Sequence, residues 1–149
     1  MKPILTIAFS LLIFINAPAD EVLKFDEYAD LPFSAEKARL DYLGIQLKMS
    51  PDDVGWYVIF AGSDSCPGEA RRRAIRAKNY IVNKHGIRPD RVIWSDEGYR
   101  EGVTVEIWVR LRSLGKPSPS NSATVNKNEV QISPNCKSKS QKRQRRSKL

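Results

Sequence analysis

Cations dominate the residues that could do chemistry. Arg71, Arg72, Arg73, Arg76 and Lys78 follow closely on a turn, Gly62-Ser63-Asp64-Ser65, that carries an acid. At helical spacing Arg72 and Arg76 point away from an apolar stripe, as a solvated face or as a patch for an acidic polymer. A second basic block closes the chain: Lys137, Lys139, Lys142, Arg143, Arg145, Arg146 and Lys148, with no acid or aromatic in residues 137–149. Such a block attaches to any polyanion in a salt-dependent way, or only solubilises. Without aromatics it has nothing on which bases could stack, so the expected partner is an anionic envelope polymer or lipid rather than nucleic acid.

Cys66 and Cys136 are the only cysteines. An even count favours a disulfide in an oxidising compartment; two free thiols, or a bond between chains, are the other arrangements. Closing a loop of about 70 residues would stabilise the fold by roughly 4 kcal/mol in the chain-entropy model. His85 falls at a helix C-terminus, where the dipole favours it, and the cysteines do not stand at zinc-ligand spacing. No serine sits in a nucleophile elbow, and Asp96 and Glu97 lack an acid/base partner. The residues ask for binding, with no catalysis, cofactor or metal.

The elements that must position these groups centre on residues 56–87. Trp56-Tyr57-Val58-Ile59-Phe60-Ala61 is too apolar for a strand exposed on both faces. After the turn, Pro67 suits a first helical position. Ala70, Ala74, Ala77 and Ile81 make a narrow stripe, and Gly86 stops the helix. Upstream, Val22-Leu23-Lys24-Phe25 fits a first strand. Ser34 fits a helix N-cap, Glu36 lies in the first turn where the dipole favours an acid, and Leu40, Leu43 and Leu47 supply the stripe. Downstream, Val92-Ile93-Trp94 reads as a short strand, residues 96–102 as a polar loop, and Val103, Val105, Ile107 and Val109 as the apolar face of a last strand. The expected fold is an α/β (α+β) two-layer sandwich, β-α-β-α-β-β, with two helices on one face of a four-stranded mixed sheet.

Residues flanking this domain, 20–112, differ in kind. Residues 1–19, with Lys2, an apolar run and Ala17-Pro18-Ala19, read as a secretory signal peptide. Residues 113–128 read as a Pro/Ser linker that does not pack. Residues 129–136 read as a short extended segment docked by the disulfide, and 137–149 as a disordered basic tail. The formal charge of +8 sits almost wholly in that tail, since residues 20–136 carry 17 cations against 17 acids.

Within the central stretch, Arg72-Arg73-Ala74, Tyr80-Ile81-Val82, His85-Gly86-Ile87 and Asp90-Arg91-Val92 resemble the second helix and following strand of the OmpA-like C-terminal domain. The resemblance spans roughly residues 22–110 and is strongest over 72–92. It implies an exported, periplasmic or extracellular protein that binds peptidoglycan noncovalently. It also implies that Asp64 and Arg73 clamp the diaminopimelate of the stem peptide, a carboxylate taking its ammonium and a guanidinium its carboxylate. The chain departs from the family in a shorter loop before the helix, and in Gly102-Val103-Thr104 where the family has Asn-Arg-Arg. The alternative is a structural or interaction module of the same fold without the clamp.

Overall fold

The computed structural model describes residues 24–131, Ser133 and Cys136. The signal-peptide assignment and the basic tail lie outside these residues, as do parts of segment 129–136. The elements run β1 (Lys24–Tyr28), α1 (Phe33–Met49), β2 (Asp53–Gly62), α2 (Glu69–His85), β3 (Val92–Arg100) and β4 (Thr104–Leu111), in the order expected. The sheet order is β1-β4-β2-β3. β2 pairs parallel with β3 across the α2 connection and antiparallel with β4, which pairs antiparallel with β1. Both helices pack on one face.

Side-chain parity builds the core. Leu40, Leu43 and Leu47 of α1 and Ala70, Ala74, Ala77 and Ile81 of α2 meet Tyr57 and Ile59 of β2, Val92 of β3 and Val105 and Ile107 of β4. The alanines let α2 lie close to the sheet. His85, partly buried, packs its ring against α1, its Nε2 2.7 Å from Asp41 Oδ1, and a Cβ at Gly44 would overlap the ring. The His85 hydrogen bond, reinforced by Tyr80, holds the Asp41 carboxyl below the usual carboxylate range.

The opposite face is covered too. Val54, Val58 and Phe60 point away from the helices, yet they are buried. Here Arg100 and Glu106, both almost wholly buried, form an ion pair of 3.0 Å. The Arg100 guanidinium lies 3.6 Å from the centre of the Phe60 ring. Ser120 closes the group, accepting from Arg100 through its carbonyl and donating from its N–H and hydroxyl to Glu106. The Pro/Ser segment expected to be a non-packing linker is thus a strap: Pro117 is buried, and Val125 bridges to Tyr99 of β3. A buried Glu at an otherwise polar position of β4 is what recruits it.

Four local expectations change. α1 begins at Phe33 with Pro32 as N-cap, not Ser34, because the Pro32 carbonyl receives both Ala35 and Glu36 N–H groups at 3.0 Å. Pro67 precedes α2 instead of opening it; the N-cap is Gly68 at φ 69°, a conformation other residues rarely adopt. β3 runs to Arg100, absorbing most of the expected loop through an irregularity opposite Ile59 and Ala61. Finally, Lys127–Glu129 forms a 3-10 turn that spans the end of the expected linker and takes in Glu129, the first residue of the expected extended segment, before the Gln131 N–H reaches Ser63 O at 2.9 Å. The pairing of Cys66 with Cys136 is present, Cα–Cα 5.4 Å.

Two outcomes follow. Gly44→Ala should lose about 1–2 kcal/mol in urea unfolding, overpacking outweighing the roughly 1 kcal/mol helix-propensity gain, and pairing it with His85→Ala should recover part of the loss. At Glu106, burial pushes the carboxyl pKa up, but Ser120 and Arg100 outweigh it and leave the value lowered. Its stabilisation is therefore present above the unfolded carboxylate pKa and is lost as pH falls through the folded value. Glu106→Gln should be less stable at pH 7 and show a shallower loss of stability on acidification.

Candidate functional site

The site starts where β1 hands over to α1. Pro32 fixes the entry of the helix, so Phe33 and Glu36 occupy its first turn. Glu36 shares the helical spacing of Leu40, Leu43 and Leu47 and is drawn inward with them. Its Oε1 accepts the hydroxyls of Tyr57 at 2.6 Å and Tyr28 at 3.2 Å, and its Oε2 accepts Arg76 Nη2 at 3.1 Å. Burial first, then the neighbouring Tyr57 and Glu36 for Tyr28 and Glu36 for Tyr57, push both phenol pKa values far above normal, so both hydroxyls remain donors.

Arg76 reaches inward across Phe33, its guanidinium 4.1 Å from the ring centre. The helix face that sequence spacing assigns to solvent is thus partly engaged. Phe33 meets Tyr80 edge-on at 5.8 Å, and Lys37 Nζ stands 5.3 Å from one ring centre and 5.7 Å from the other. Arg72 donates to Pro67 O at 2.8 Å. Phe33, Arg72 and Arg76 wall a cleft of about 440 Å³ that Leu31, Cys66, Glu69 and Arg73 also line.

Arg73 lines that cleft, its side chain only 13 % exposed. It donates to Leu31 O at 3.1 Å and pairs with Asp30, whose own side chain is 69 % exposed. Burial lowers the Arg73 pKa, but the Asp30 hydrogen bond and charge, with Glu36 and Tyr57, together outweigh it and leave the value raised, so the guanidinium is held charged. Asp64, the acid that the family resemblance pairs with Arg73, is exposed in the turn after β2. Among the described residues no ion pair joins Asp64 to Arg73. The loop of β1–α1, not that of β2–α2, supplies the acid in contact. Asp30 carried no local signal in the sequence, whereas Glu36, in register with three buried leucines, could have been read as buried.

Among the described residues no three His, Cys, Asp or Glu side chains gather as a metal site, and no helix is long and apolar enough to cross a membrane. The chain matches no protein-family model and no curated protein. The cleft presents three guanidinium groups, of Arg72, Arg73 and Arg76, beside the Phe33 ring and the Glu69 side chain, and buried Glu36 holds Arg76.

Removing that carboxylate should be costly. Glu36→Gln is expected to destabilise the fold by about 2–3 kcal/mol, because it leaves a buried donor facing donors. Tyr57→Phe should cost about 1 kcal/mol; equal and negligible effects in chemical denaturation would contradict this account of the cluster.

Proposed function

We propose that this is an exported cell-envelope protein whose folded domain binds a carboxylate of the peptidoglycan stem peptide noncovalently, with Arg73 as the principal donor. The observation that carries the reading is a charged, largely buried arginine lining an open cleft, within residues that resemble the OmpA-like family. Arg73 is already stripped of most of its hydration and is held by a backbone carbonyl, so little ordering remains for a ligand to impose. Arg72 and Arg76 stand beside it and raise the local attraction for anions. A zwitterionic residue such as diaminopimelate would place its carboxylate on Arg73. Its ammonium would meet Asp64 in the family's arrangement, or Asp30 if that acid moves aside. The disulfide suits an oxidising compartment.

A second reading, an interaction module of this fold without the clamp, is favoured by one specific contact: Asp30 occupies Arg73, and a ligand carboxylate would have to displace it.

Co-sedimentation with purified peptidoglycan separates the two. In high salt, Arg73→Ala should weaken binding about 10-fold or more, the scale of a charge-assisted pair. Deleting residues 137–149 should leave that component intact. Binding unchanged by Arg73→Ala, or abolished by salt alone, would leave the module reading.

A further inference from the structure

The outward side of α2 is not uniformly polar. Arg72, Ile75, Arg76, Asn79, Asn83 and Lys84 recur at helical spacing, so they share one side of the helix, and all are exposed. With Tyr80 and with Phe33 of α1 they line a groove of about 620 Å³. From Arg72 to Lys84 this side runs for rather more than three turns, about 18 Å along the axis. Ile75 is 38 % exposed, a large apolar side chain left in water in the same groove as the Phe33 and Tyr80 rings. No acid lines the groove. Arg76 is paired with buried Glu36. Among the described residues Arg72 and Lys84 enter no ion pair, and neither does Lys37, which stands close to both rings. Residues 20–136 balance 17 cations with 17 acids, so this concentration of cations is local.

We propose that this groove is the docking site for an acidic amphipathic helix of a partner protein. The apolar face of that helix covers Ile75, Phe33 and Tyr80, and its acids meet Lys37, Arg72 and Lys84. Three considerations lead there. The groove is walled by helices, whose main-chain groups are already paired along their length. An extended segment would find no partners there for its own N–H and C=O groups, whereas a helix arrives with them bonded. The length of the face matches a partner helix of three to four turns, with apolar anchors at the usual helical spacing. Apolar side chains rimmed by cations ask for the complementary pattern. Burial of the anchors supplies affinity, and the opposed charges supply orientation and on-rate. The site does not rest on the stem-peptide reading. Phe33, Arg72 and Arg76 belong to both depressions, but Ile75 and Lys84 do not line the Arg73 cleft.

Fluorescence anisotropy with the oxidised full-length protein at moderate salt tests this. The probe is a labelled peptide of about 15 residues built from Glu, Ala and Leu, with the leucines on one helical face. A scrambled peptide of the same composition carries the same charge, so unspecific attraction to the chain's basic block is equal for the two. The amphipathic peptide should bind at least about 10-fold more tightly than the scrambled one. Ile75→Asp should weaken it by about 10-fold or more, and Lys84→Glu by several-fold. Arg73→Ala should leave peptide binding within about twofold of wild type, and Ile75→Asp should leave co-sedimentation with peptidoglycan unchanged. Equal binding of the two peptides would overturn the proposal, as would an affinity that Ile75→Asp and Lys84→Glu both leave intact. So would phosphatidylglycerol vesicles whose binding falls with Ile75→Asp while the peptide's does not, which would assign the groove to a membrane surface. If Ile75→Asp lacks native circular dichroism, Lys84→Glu alone decides.

Discussion

A carboxylate taken out of water must be met by donors, or it will not stay ionised and the fold will not stay closed. Glu36 is met by three, from three separate elements: Tyr28 of β1, Tyr57 of β2 and Arg76 of α2. That requirement ties the start of α1 to the sheet on one side and to the second helix on the other. It also determines where Arg76 goes, and Arg76 with Phe33 forms the wall of the cleft. Without this buried acid the arginines of α2 would be an ordinary solvated face. With it, Arg72, Arg73 and Arg76 become the lining of a shaped, cation-rich depression.

The other face of the sheet repeats the device with different partners. Glu106 is buried at a β4 position whose neighbours in pattern are polar, and Arg100 and Ser120 satisfy it. Ser120 belongs to a segment rich in proline and serine, so the strap is held by a polar group rather than by apolar burial alone. The disulfide then closes the strap onto the turn before α2. The two faces are joined through Cys66, which belongs both to the strap's closure and to the wall of the arginine cleft. A feature that looks purely structural thereby acquires a position next to the chemistry.

Much of the architecture was legible in periodicity: the leucine and alanine stripes, the alternation of β4 and the glycine stop of α2 all appear where spacing places them. What escaped was set by partners far away in the chain. Asp96–Arg100 reads as loop because its residues are polar, yet β2 offers a parallel edge that extends β3 through them. Residues 113–128 read as linker because composition records no contact with Glu106. The acid touching Arg73 escaped for the same reason: Asp30 is 43 residues upstream, and only the closure of β1 and α1 around Glu36 brings it there. Local propensity describes elements; buried polar groups decide which loops and termini those elements attract.

The central claim is that the cleft built around Glu36 is where a carboxylate-bearing ligand binds. A ¹H–¹⁵N NMR titration of the oxidised protein with a soluble stem peptide containing diaminopimelate tests it most directly. The account predicts saturable shifts at Leu31, Phe33, Arg72, Arg73 and Arg76, including the Arg73 Nε–H, with residues around Arg100 and Ser120 unmoved. Shifts confined to the strap face, or none at millimolar peptide, would contradict it.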